Sequence, residues 1–148
     1  MWGSKKSASR RIDSLVGNST KIMGDLDFTG GLLVDGKVMG NITATEDDNA
    51  TITISENGYV QGEIQIPNII INGTVEGNVY ASNHVELAKK ARVFGNVYYH
   101  LFEMAMGAEV NGNLVHVAED QVMQEKLSAS IEQPEPARLE EPEVVINS

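Results

Sequence analysis

The chain has 148 residues, no cysteine and a formal net charge of −10. That length leaves room for one domain. The absence of cysteine rules out a disulfide framework and a thiolate metal site, and the acid excess disfavours a general nucleic-acid binder, whose phosphate contacts need a basic face. No stretch approaches the ~18 consecutive apolar residues of a membrane-spanning helix. The basic N-terminus has no apolar run behind it, so it does not read as a secretory signal.

Charge divides the chain into an arm, a body and a tail. Residues 1–12 carry Lys5, Lys6, Arg10 and Arg11 and no acid, residues 13–117 hold 13 acids and 5 bases, and residues 118–148 hold 8 acids and 2 bases. The arm, residues 1–18, is rich in Ser, Gly, Lys and Arg without periodicity, a composition that predicts disorder. Its one aromatic residue is Trp2. Tryptophan favours a membrane–water interface, and each Lys or Arg near an anionic leaflet contributes about 1 kcal/mol. Met1, Trp2, Lys5 and Lys6 are therefore the expected membrane-targeting residues. One such arm binds weakly, whereas many arms on a polymer bind by avidity. The plain alternative is a solvated leader.

The body, residues 19–117, is built from one repeated unit: a small residue, any residue, Val or Ile, any residue, Gly, then Asn, Asp or Glu, then an aliphatic. It occurs at Thr20–Leu26, Gly36–Ile42, Gly58–Ile64, Gly73–Val79, Ala91–Val97 and Ala108–Leu114. The glycines Gly24, Gly40, Gly62, Gly77, Gly95 and Gly112 follow at steps of 16, 22, 15, 18 and 17. A repeat this short, with Gly and β-branched residues at fixed offsets, predicts a solenoid. Between the repeats the pattern alternates with period 2, as at Ile52/Ile54, Ile69/Ile71, Val85/Leu87 and Phe102/Met104, which is strand patterning. Three strands of five or six residues per winding then make a triangular coil, an all-β single-stranded β-helix of about six windings. Like positions stack on like, so aliphatics form interior columns. The Gly is expected at a corner where a side chain crowds the interior and a positive φ is needed. The 22-residue step is explained by a polar insert at Glu46–Ala50, placed in a loop as solenoid insertions are.

The tail, residues 118–148, is acidic, carries Pro134, Pro136 and Pro142, and is predicted to be disordered. It holds one candidate amphipathic stretch at Val122, Met123, Leu127 and Ile131.

Catalytic and cofactor signatures are missing. His84, His100 and His116 are spaced 16 apart, which suggests a metal column. They lie 7, 5 and 4 residues after Gly77, Gly95 and Gly112, however, and so are not at equivalent positions. The carboxylates Asp25, Glu63, Glu76, Glu86 and Glu103 read as a solvated face. There is no P-loop, Gly-x-Ser-x-Gly elbow or His-Glu-x-x-His. The expectation is a non-enzyme with no cofactor and no metal. A left-handed acyltransferase-like trimer and a monomeric adaptor are the alternatives. The first is disfavoured because the Gly-Asn corner comes once per winding rather than every six residues.

Six copies of a unit of the Val-x-Gly-Asn-Val type between two short tails resemble the bactofilins. Gly73–Val79 and Leu33–Ile42 are the best matches. The resemblance implies a right-handed triangular β-helix and nucleotide-independent cytoskeletal filaments, often on the bacterial inner membrane at its cytoplasmic face. It also implies roles in cell shape and in localising cell-wall enzymes or other client proteins. Met1–Lys6 is similar to the family's membrane-targeting peptide. Physics supplies its own reason for polymerisation. A β-helix has two open ends, most solenoids cap them, and no cap is apparent here. The expected polymerisation interface is Ile22, Leu26 and Phe28 at one end and Phe102, Met104, Val110 and Leu114 at the other. The expected partners are further copies of the chain, the membrane surface and a client protein, with no nucleic acid.

Overall fold

A computed structural model describes residues 12–118. The arm residues 1–11 and the tail from residue 119 lie outside it. All regular structure among the described residues is β, and every strand pair is parallel and joins consecutive windings.

The chain makes six windings. The first consists of β1 (Ser14–Val16), β2 (Lys21–Met23) and β3 (Leu26–Asp27). The second consists of β4 (Gly31–Val34), β5 (Lys37–Met39) and β6 (Ile42–Thr43), and the third of β7 (Thr51–Ile54), β8 (Tyr59–Gln61) and β9 (Ile64–Gln65). The fourth opens with β10 (Asn68–Ile71) and β11 (Thr74–Glu76). It closes on the first half of β12 (Val79–Leu87), which runs on as the first face of the fifth winding. The fifth continues through β13 (Arg92–Phe94) into β14 (Val97–Met104), whose second half opens the sixth, completed by β15 (Glu109–Asn111) and β16 (Leu114–His116). The three strand positions thus form three faces. The second face is a separate six-stranded sheet, and the first and third merge through β12 and β14 into a ten-stranded one.

Two expectations are revised here. The body begins at β1 rather than at Ser19, because Leu15 and Val16 pair in register with Leu33 and Val34 and Val16 is buried. Nor are the strands uniformly five or six residues long. Most have two to four residues, and two continuous strands of nine and eight replace the third corner late in the coil. The polar insert lies between β6 and β7 without strand structure, as expected. Its Asp47 accepts hydrogen bonds from the backbone N–H groups of Gly30 (2.7 Å) and Asn49 (2.9 Å), which fastens the loop to the winding below.

The interior is a set of stacked columns. The second face contributes Ile22, Val38, Val60, Val75, Val93 and Val110 in register. The first contributes Leu32, Ile52, Ile69, Val85 and Phe102, beside Val34, Ile54, Ile71, Leu87 and Met104. The third contributes Leu26, Ile42, Ile64, Val79, Val97 and Leu114. β-Branched residues suit these columns because their stiff side chains pack against copies of themselves on the pleated surface. A smaller apolar cluster lies outside the coil. Tyr80 and Tyr98 stack on the third face with centroids 4.9 Å apart, joined by Val115 and Val117.

The corner glycines have a more specific cause than interior crowding. A methyl group at Gly40 would stand 2.1 Å from the carbonyl oxygen of Gly24. The same contact recurs from Gly62 to Gly40, Gly77 to Gly62, Gly95 to Gly77 and Gly112 to Gly95, at 2.1–2.3 Å. The obstacle is the backbone of the preceding winding, not the core. A left-handed φ adds to this at some corners, such as Gly77 at +150°, but not at Gly40 or Gly112. Close backbone approach is thus the common requirement from Gly40 onward, while Gly24 in the first winding has only its φ of +137°.

Candidate assembly site at the two ends of the solenoid

Each interior column must stop somewhere, and the site is made of the residues where it stops. In the middle windings the column members are sealed: Val38, Val60, Val75, Val93, Ile42, Ile64, Val79 and Val97 have no exposed surface. At the first winding Ile22, Leu26 and Phe28 pack against the core but stay only partly buried. At the last, Phe102 and Val110 are likewise partly buried, while Met104 and Leu114 are 45% and 43% exposed. Six of the seven residues expected at the polymerisation interface are therefore ends of these columns, and Phe28 packs against the core beside Leu26's winding, giving three at one end and four at the other.

Two members were missed. Val16 belongs to the first end, and its signal was legible: Leu15-Val16 repeats Leu33-Val34 ahead of the shared Lys-x-Met-Gly pattern at Lys21–Gly24 and Lys37–Gly40. Tyr99 belongs to the last end, where it meets Phe102 at 4.8 Å and His116 edge-on at 5.5 Å. It sits in register above Ala81, so an aromatic replaces the small residue as the coil ends.

The backbone at both ends is an edge. Among the described residues, β1, β2 and β3 pair on one side only, with β4, β5 and β6, and β15 and β16 pair on one side only, with β13 and β14. Such edges offer rows of N–H and C=O groups for strand addition. The corner polar residues are ladder rungs rather than plain surface. Asp25 accepts from Asn41 N–H (2.9 Å) and Asn41 accepts from Glu63 N–H (2.9 Å). Asn78 accepts from Asn96 N–H, and Asn96 from Asn113 N–H, both at 3.0 Å. Each side-chain oxygen thus holds the backbone one winding on.

Outside the ends little resembles a reactive centre. His100 and His116, expected to be unrelated, stack 5.9 Å apart, whereas His84 lies elsewhere and contacts Glu103. Hydrogen bonds from Thr45 N–H and the Thr43 hydroxyl hold the Asp27 carboxyl below its ordinary value. Burial, then the nearby Glu63 charge, raises Tyr80. The hydrogen bond to Glu76 chiefly raises Tyr59. These are structural contacts on the outer faces. No helix among the described residues is long and apolar enough to cross a membrane. The membrane-targeting residues Met1, Trp2, Lys5 and Lys6 fall outside the described segment.

Known proteins agree with this architecture. The family model for bactofilin, described as polymer-forming cytoskeletal, matches residues 14–115. The start of that match coincides with β1. The chain is 31% identical to bactofilin BacO of Myxococcus xanthus over 102 residues, 69% of this chain and 78% of that protein. It is also 31% identical to bactofilin BacP of the same organism over 109 residues, 73% of this chain but 44% of that protein. No solved structure gives a significant match. A coil of six Gly-cornered windings with open apolar ends, matched from its first strand to its last, belongs to the bactofilin family of polymer-forming cytoskeletal proteins.

Proposed function

We propose that this protein is a scaffold subunit that polymerises by stacking solenoid ends, without nucleotide, into filaments held at the cytoplasmic face of the inner membrane. The observation that carries this reading is the contrast along the columns: sealed aliphatics in every middle winding, and, Val16 apart, half-covered or exposed ones at both ends. Burying one such side chain contributes about 1.5–3 kcal/mol, and each end offers several. Where like ends meet, each contact is isologous, and alternating the two kinds yields a filament without polarity. The basic arm, repeated along such a polymer, supplies membrane attachment. The filament would then organise cell shape or place cell-wall enzymes and other clients.

Negative-stain electron microscopy of purified wild type and Phe102→Arg tests the assembly. The arginine places a charge where an apolar contact forms, so the expected result is filaments from wild type and short or no filaments from a still-folded variant. Filaments of normal length from Phe102→Arg, or a wild type that sediments at one fixed small mass, would refute end stacking.

A further inference from the structure

On the outer side of the first face, the last two windings bring together an imidazole and two carboxylates. His84 and Glu86 lie two residues apart on β12 and so project to the same side. Glu103 on β14 stands directly opposite Glu86 in the parallel register. One ligand atom from each of the three lies within 4.8 Å of the others, and His84 Nε2 is 3.6 Å from Glu103 Oε2. We propose that His84, Glu86 and Glu103 form a binding site for a divalent transition-metal cation of the zinc type, clamping the sixth winding to the fifth.

Three observations support the site independently of the assembly reading. The first is electrostatic: Glu86 and Glu103 occupy paired positions on neighbouring strands, so a cation shared by their carboxylates is attracted to both at once. The second is positional. The register between β12 and β14 shifts just before His84, where β12 holds one residue more than β14. That irregularity is pinned, because the carbonyl of Pro67 accepts from both Asn83 N–H and His84 N–H at 3.0 Å, and Asn83 Nδ2 donates to Asn68 Oδ1 at 2.7 Å. Bulges re-aim side chains, and this one fixes the backbone from which a mostly covered imidazole, 24% exposed, projects.

The third observation is the fit to a coordination sphere. Zinc binds His N and Glu O at about 2.0–2.2 Å in a tetrahedron, which places donor atoms about 3.3 Å apart. The His84–Glu103 separation is already near that value. Glu103, 69% exposed, is free to swing the remaining distance. Solvent supplies the fourth position. An imidazole beside carboxylates selects zinc-like ions over magnesium or calcium, which take oxygen ligands.

Calorimetric titration of the full chain with Zn2+ alone tests the site, run beside His84→Gln, Glu103→Gln and His116→Gln. Wild type should take up one Zn2+ per chain and gain thermal stability with it. His84→Gln and Glu103→Gln should weaken binding by about tenfold or more, while His116→Gln leaves it unchanged and Mg2+ gives no comparable heat. Far-UV circular dichroism confirms that the variants fold, and the exposed Glu103→Gln carries the test if His84→Gln does not. No Zn2+ binding by wild type overturns the proposal. So does binding that survives both His84→Gln and Glu103→Gln, or binding lost in His116→Gln.

Discussion

Replacing corner glycines by alanine separates two causes that coincide along the spine of the coil. At Gly40 the φ is not in the left-handed range, but the added methyl would stand 2.1 Å from the Gly24 carbonyl oxygen. At Gly24 the reverse holds: φ is +137° and nothing lies within 4 Å. At Gly77 both apply, with φ at +150° and the Gly62 oxygen at 2.1 Å. A non-glycine residue in this backbone region costs about 1–3 kcal/mol. Forcing two windings apart to admit a methyl costs a further ~1–3 kcal/mol, as overpacking does in cores. The obstructing atom is backbone, so it cannot rotate aside as a side chain would. Gly24→Ala and Gly40→Ala should therefore each lose about 1–3 kcal/mol, and Gly77→Ala about the sum, since both penalties act at one site. For a domain of this size, ~1 kcal/mol moves the melting temperature by about 4–8 °C. The assay is denaturant unfolding followed by circular dichroism, in a background carrying Leu26→Arg and Phe102→Arg so that the chains are compared unassembled. If Gly40→Ala lost no more than an ordinary surface change, about 0.5 kcal/mol, the carbonyl column would not be the reason for glycine. A Gly77→Ala loss no larger than that of Gly24→Ala would refute the same reasoning.

Two further outcomes are expected. Deleting residues 1–8 should move the protein from the membrane pellet to the soluble fraction while filaments persist, and unchanged pelleting would count against the arm as anchor. Asp27 carries a depressed folded-state pKa, so its contribution is present above the unfolded value of 3.8 and is lost as pH falls through the still lower folded value. The stability difference between wild type and Asp27→Asn should then be modest near neutral pH and vanish in acid below that range. A difference that grows on acidification would contradict the hydrogen bonds from Thr43 and Thr45 as its cause.

The windings were legible because the inward columns and the corner glycines are the same residue types at nearly the same spacing. Val38, Val60, Val75, Val93 and Val110 declare one face in the bare sequence, and the ends of that column followed from counting. What the spacing did not reveal was the neighbourhood of outward residues. Steps of 15 to 22 residues between corners mean that outward partners share no constant separation. Glu103 stands opposite Glu86, 17 residues on, whereas His116 stacks on His100, 16 residues away. Tyr80 and Tyr98 alternate as outward residues, yet they are buried because they cover each other and Val117 packs beside them. β1 was overlooked because its winding carries Thr20 where later copies have Gly or Ala, and because a polar arm runs straight into it. The reason for the glycines was misassigned because a one-dimensional pattern shows that a side chain is excluded, not which atoms exclude it.

The file of corner glycines has a mechanical consequence. Along that edge successive backbones already stand as close as atoms allow. That edge cannot shorten, so the rod resists bending toward it within a subunit. Curvature toward that edge in a polymer of such subunits would then be taken up at the junctions between them. The flexural stiffness of the polymer would be set by the few side chains at its ends rather than by the hundred residues between them.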